Sequence, residues 1–262
     1  MVRQTIVAAG DDGSEGWGSA VGAVWEFLRG ERHLSDVQLS QGGKITLTKS
    51  SPAHAITGEG AMTGNLYVNL HWTAREVDGG QGQLRRKLLQ PRQLLRSETE
   101  VGQPIGPQNV DLDLACMYEL ANGARGVVQP LGQFFGDLNQ PPYIKLSGDD
   151  QYGAPSGETM FINLEKKDEF KRLLIFVYIY DGTPAFAHTH AVIQIIPPTG
   201  PRLEVNLDRR EAAARSCAVL LIENQGGVLM ARRELRYVHG FQSDLDRLYG
   251  FGMQWQRGYK DN

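Results

Sequence analysis

A two-sheet antiparallel β-sandwich with a few short helices is the fold class that this sequence predicts. Three observations predict it: from Lys44 onward apolar and polar residues alternate with a period of two, turn signals interrupt those runs at short intervals, and strong helical segments are few. With 262 residues and 41% hydrophobic content, the chain has ample material for one large packed β domain with appendages.

Residues 1–36 form a glycine-rich N-terminal extension in which Trp17, Val21, Val24, Trp25 and Leu28 recur at helical spacing. They predict a short amphipathic helix that either docks on the main domain or binds a partner. The sandwich domain is expected over 37–262. Ile45 and Leu47, then Leu66, Val68, Leu70 and Trp72, alternate with Asn65, Tyr67, Asn69 and His71, which predicts half-buried strands. Residues 73–108 break the pattern and are too long and too rich in Gly and Gln for an ordinary hairpin loop, so a flexible insertion is expected there. Its centre sets Leu84, Leu88, Leu89, Leu94 and Leu95 beside Arg85, Arg86, Lys87, Arg92 and Arg96, a composition able to grip an acidic partner or a membrane surface, or simply to form a solvated loop. Pro91 rules out a continuous helix through it.

Strands resume with DLDLACMYEL at 111–120 and continue through ARGVVQP, PPYIKL, TMFINL, RLLIFVYIY (172–180), HAVIQII, RLEVNL, CAVLLIEN and VLMARRELRYV. RLLIFVYIY is apolar on both faces and predicts a central strand. Short helices are expected at LEKKDEFKR, at DRREAAARS with Asp208 as N-cap, and at QSDLDRLYG.

A formal net charge of −3 supplies no global attraction toward nucleic acid or an anionic membrane. The first sixteen residues hold only a short apolar run, and no later run reaches the ~18 residues of a membrane span, so a cytoplasmic protein is expected, membrane contact arising only through partners or the basic insertion. Cys116 and Cys217 lie inside apolar runs and read as core fillers. There is no Gly-rich phosphate loop, HExxH pair or GxSxG elbow, so nucleotide hydrolysis, zinc proteolysis and α/β-hydrolase chemistry lack their parts and a non-enzyme is expected. His188 and His190 in AHTHA have the spacing of two ligands on one strand face, yet without a third ligand an exposed strand end is the simpler account.

The chemistry-bearing feature is acid. In DLDL, strand alternation sends Asp111 and Asp113 to one face and Leu112 and Leu114 to the other. The turn GDDQYGAPSGE adds Asp149, Asp150 and Glu158. Each group has a plain reading, a wet strand face and a self-capped polar hairpin. If folding brings the two together, carboxylates ~4 Å apart repel by roughly 4 kcal/mol per pair at an effective dielectric near 20, and such a cluster binds a cation or protonates. An all-oxygen set on a glycine-containing loop suits Ca²⁺ better than octahedral Mg²⁺. The spacing is not that of an EF-hand. Two acids on one strand point the same way, which argues against the flanking pair that glycoside hydrolysis uses.

VDLDLACMYELANGARGVVQPLG, PPYIKLSGDDQYGAPSGETMFINL, KRLLIFVYIYDG and RRELRYVHGFQSDLDRLYGFGMQW together resemble the TerD-domain family of tellurium-resistance and stress-response proteins. KITLTK, NLYVNLHW and the long insertion before DLDL are similar to its TerA-like branch. The resemblance covers roughly residues 40–258. It implies a calcium-binding β-sandwich, with one or two sites, working without catalytic chemistry as a scaffold or sensor among other Ter-type stress proteins, in the cytoplasm or at the inner face of the membrane. Asp111 and Asp113 match the family's DLD, and Gly148, Asp149 and Asp150 its GDN or GDD. The loop then departs: after Tyr152 and Gly153 only Ser156, Gly157 and Glu158 stand where the family carries a longer acidic run. Two other roles stay open, an ion-independent interaction module with a degenerate calcium site, and a calcium-bridged carbohydrate or phospholipid headgroup binder.

Overall fold

The computed structural model describes residues 5–7, 42–72, 111–147, 157–181, 186, 189–207 and 214–256. Among them the strands are β1 (Thr5–Val7), β2 (Gly42–Thr46), β3 (Ala53–Ala55), β4 (Asn65–His71), β5 (Asp111–Leu120), β6 (Arg125–Val128), β7 (Gly136–Asp137), β8 (Ile144–Leu146), β9 (Glu158–Asn163), β10 (Phe170–Asp181), β11 (Val192–Ile196), β12 (Pro201–Asn206), β13 (Ser216–Gln225), β14 (Val228–Val238) and β15 (Gln254–Gln256). One α-helix, α1 (Gln242–Tyr249), precedes β15. The expected sandwich is present: a six-stranded sheet ordered β3-β14-β13-β10-β5-β6 packs on a seven-stranded sheet ordered β2-β12-β11-β4-β9-β8-β7. Its pairings are antiparallel except β2 with β12, which run parallel.

Side-chain alternation decides which residues fill the space between the sheets. Leu112, Leu114 and Cys116 of β5, Leu173, Ile175, Val177 and Ile179 of β10, and Leu66, Val68 and Leu70 of β4 form one buried cluster. β10 lies centrally between β5 and β13, and its other face, Leu174, Phe176 and Tyr178, joins a second cluster with Ala115, Met117, Leu245 and Phe251. Its two apolar faces thus each meet a different layer. Leu245 belongs to α1 and Phe251 follows it, so the C-terminal segment covers the outer face of the six-stranded sheet.

The expected helix at LEKKDEFKR is a 3₁₀ turn over Leu164–Glu169, capped by the Asn163 carboxamide oxygen accepting from Glu165 N at 2.9 Å. It ends earlier than its charge pattern suggests because Phe170 and the two basic residues after it are drawn into β10. QSDLDRLYG is helical as expected, its start closed by Asp244 Oδ2 accepting from Phe241 N at 3.0 Å. Most of DRREAAARS lies outside the described residues, as do the helix expected over 17–28 and the insertion at 73–108. Within the N-terminal extension, Thr5–Val7 pairs antiparallel with Gln254–Gln256, a contact between chain ends that no local pattern announces.

Candidate functional site

Asp111 and Asp113 open β5 and share the face of Ala115 and Met117, opposite Leu112 and Leu114. A wet face was the plain expectation, and the structure corrects it: Asp113 is 0% exposed and Asp111 8%. Further along this face Ala115 and Met117 pack with Leu245 of α1 and with Phe251, so there both faces of β5 are interior. In register, Asp113 lies across from Tyr178 on β10, and Tyr178 across from Ser216 on β13. After an irregularity between Ile179 and Asp181, Asp111 pairs with Asp181, an acid that the sequence analysis did not single out. Its position in the YDG that closes RLLIFVYIY was the available signal.

Glu158 is not in the turn as its surroundings suggest; it is the first residue of β9, buried at 1% exposure. Its Oε2 accepts from the amide of Leu114 at 2.7 Å, next in the chain to Asp113. This contact has a topological reason. β6 pairs with β5 only from Cys116 to Glu119, so it leaves the edge of β5 before Cys116 uncovered, and the Glu158 carboxylate satisfies an amide on that edge. Asn69 fixes the neighbourhood, donating from Nδ2 to Thr159 Oγ1 at 2.9 Å and to Glu158 O at 3.3 Å. Ser147 and Thr159 bond at both ends of the intervening loop, Ser147 N to Thr159 O at 2.8 Å and Thr159 N to Ser147 Oγ at 3.2 Å.

The structure therefore brings Glu158 to the strand that carries Asp111 and Asp113. Asp149 and Asp150 lie outside the described residues, as do Arg85, Arg86, Lys87, Arg92, Arg96 and His188. Among the described residues no group of three or more His, Cys, Asp or Glu side chains is arranged to hold a metal. His190 occupies an exposed turn with φ 47°, before β11 begins, so it is not on a strand face.

A second charged cluster escaped the sequence analysis. Glu119, 1% exposed, accepts from Arg125 Nη2 at 3.0 Å, Lys171 Nζ at 2.8 Å and Arg172 Nε at 2.6 Å. Burial pushes its carboxyl up, but the hydrogen bonds from Lys171, Arg172 and Arg125 outweigh this and hold it at about 2. The same guanidinium groups reach the C-terminal segment: Arg125 donates to Phe251 O at 3.0 Å, and Arg172 to Tyr249 O at 2.7 Å and Gly250 O at 3.0 Å. The Glu119–Arg125 half was legible as a cross-hairpin pair in ELANGAR, whereas the lysine and second arginine come from β10.

Both cysteines are free and fully buried in the inter-sheet core, and burial pushes the Cys116 thiol far above its usual range. The native protein is expected to leave both thiols unreacted toward an aromatic disulfide reagent and to release them on denaturation. Rapid native labelling would contradict the buried placement.

Fold and site define a class: a two-sheet β-sandwich with a second apolar cluster on the outer face of one sheet and two buried aspartates at the start of β5. The chain belongs to the TerA-like tellurium-resistance family. It is 32% identical over 219 residues to "Tellurium resistance protein TerA" of Alcaligenes sp, a match covering 83% of this chain. The chain spans 58% of the length of that relative. No protein-family model matches. Among solved structures, "Crystal structure of unknown function protein SAV2460" aligns at 15% identity with a TM-score of 0.47, covering 72% of this chain and 97% of that one. Among the described residues no helix is long and apolar enough to cross a membrane.

Proposed function

We propose that this chain is a non-catalytic calcium-binding protein, a scaffold or sensor in tellurium resistance or stress response, whose cation ties the start of β5 to the loop ahead of β9. The observation that supports the reading is the burial of Asp111 and Asp113 at the start of β5, with Glu158 of β9 bonded to the amide of the next residue, Leu114. Buried carboxylates are costly to keep charged unless something positive accompanies them. The donors are hard oxygens on a strand end and a loop end, which fits Ca²⁺, an ion that accepts six to eight oxygens in loose geometry. Asp111 and Asp113 would hold it, joined by loop carboxylates at Asp149 and Asp150.

Calcium titration by calorimetry is the test. The parent protein is expected to release or absorb heat on binding, and at a hundredfold over the dissociation constant to gain about 2.7 kcal/mol, raising Tm by roughly 5–10 °C. Asp113→Asn, which keeps shape and removes charge, is expected to abolish both responses. No heat in the parent protein ends the reading.

A further inference from the structure

The outer face of the seven-stranded sheet plays no part in the calcium reading. Alternation in β4, β9, β11 and β12 turns Leu66, Val68, Ile162, Ile195 and Leu203 into the core, which turns Tyr67, Phe161, Ile196 and Arg202 outward. These four fall in one row across the sheet. Tyr67 lies in register with Ile196 on one side and Phe161 on the other, its ring edge-on to that of Phe161 with 5.3 Å between centroids. Cations close both ends of the row. Lys145 pairs with Phe161, while Arg202, in register with Lys44, stands beside Ile196 on the next strand. Arg202 Nε is buried and, among the described residues, has no hydrogen-bond partner, so that end of the row lacks an acceptor. α1, the one α-helix among the described residues, packs on the other sheet.

The chain itself leads to this face. β1 lies beside the 3₁₀ turn Leu131–Gln133 that follows β6, and β6 neighbours β8, near one edge of the seven-stranded sheet. β2 is the opposite edge of that sheet. Residues 8–41 therefore connect two flanks of the sandwich, and the direct ways across are its two outer faces. The C-terminal segment already occupies one of them. The point of entry agrees: Gly42 lies against Pro201, next to Arg202, so the residues ahead of β2 lead off from the cationic end of the aromatic row.

We propose that this face is the docking surface for the chain's own N-terminal extension, with the amphipathic helix expected over 17–28 laid across Ile196, Tyr67 and Phe161. The lengths match. Twelve helical residues span about 18 Å, and the five strands from Arg202 to Lys145 span about 19 Å. The charges match as well, since residues 8–41 carry six acids against two arginines and meet cations at both ends of the row. The insertion at 73–108 is the poorer occupant, because its basic centre would face those same cations. Gly18 and Gly22 weaken a helix that is already too short to persist alone in water, so its apolar stripe of Trp17, Val21, Val24, Trp25 and Leu28 needs a surface such as this one.

Hydrogen exchange of the full chain tests this. Amides over 17–28 are expected to exchange at least about 10-fold more slowly than in a free peptide of the same sequence, equally at every protein concentration. Tyr67→Ser combined with Phe161→Ser is expected to return them to the free-peptide rate while the amides of α1 stay unchanged. Should that variant fail to fold, Val21→Ser with Trp25→Ser, both outside the sandwich, is expected to give the same loss of protection. Parent amides that already exchange at the free-peptide rate overturn the proposal. Protection that survives the Tyr67 and Phe161 changes overturns it by placing the helix elsewhere. Protection that grows with concentration alongside a sedimenting dimer overturns it by giving the face to a second copy.

Discussion

Glu119→Gln is expected to lower stability by about 3 kcal/mol and Tm by roughly 6–12 °C, the first value following from a carboxyl held at about 2 against its ordinary 4.5. Glutamine keeps the volume but leaves Arg172, 22% exposed, facing a neutral group in the interior. The half-exposed Arg125 and Lys171 matter less, being screened by water. The pH dependence gives the sign. A carboxyl depressed in the folded state contributes stability that is complete above its unfolded value near 4.5 and is lost as pH falls toward about 2. The Tm difference between parent and variant is therefore expected to be constant near neutrality, to shrink below about pH 4.5 and to vanish near pH 2. Thermal melts across that range check it, and a difference independent of pH would contradict the ion-pair account.

Gly157→Ala is expected to cost roughly 3 kcal/mol or more, measured by denaturant unfolding. Gly157 has φ +61°, and a Cβ there would lie 2.0 Å from the carbonyl oxygen of Leu70. The obstacle is backbone, so no rotamer change relieves it. β9 would have to separate from β4 at the Leu70–Glu158 pair, carrying Glu158 away from Leu114. Gly226→Ala is the control, since Gly226 has φ +65° with open space around it in the β13–β14 turn. It is expected to lose only the ~1–2 kcal/mol of left-handed strain. Equal losses at the two positions would mean that the Leu70 contact is relieved elsewhere. A calcium titration of Gly157→Ala then asks whether the start of β9 must be in place for the ion to bind.

Much of this molecule was readable residue by residue. The two-sided hydrophobicity of RLLIFVYIY placed it at the middle of a sheet because a strand apolar on both faces needs cover on both. The alternation of DLDL assigned Asp111 and Asp113 to one face for the same geometric reason. QSDLDRLYG carried its helix start and stop locally. What alternation cannot say is what lies over a face once it has been assigned. Asp113 was legible as a residue opposite the core; that its face of β5 meets a second core at Ala115 and Met117 depended on residues more than a hundred positions later folding back.

The sequence by itself determined the sandwich class, the strand faces, the acidic composition of DLDL and the loop ahead of β9, and the burial of the two cysteines, because side-chain periodicity and local turn chemistry act over a few residues. The tertiary structure alone decided that Glu158 caps an amide of β5, that Glu119 gathers cations from β6 and β10, and that the acidic strand face is interior. Those contacts join residues 44, 53 and 126 positions apart. Their partners are set by strand order and by where β6 stops, and strand order is a property of the whole chain's packing, which no local pattern encodes.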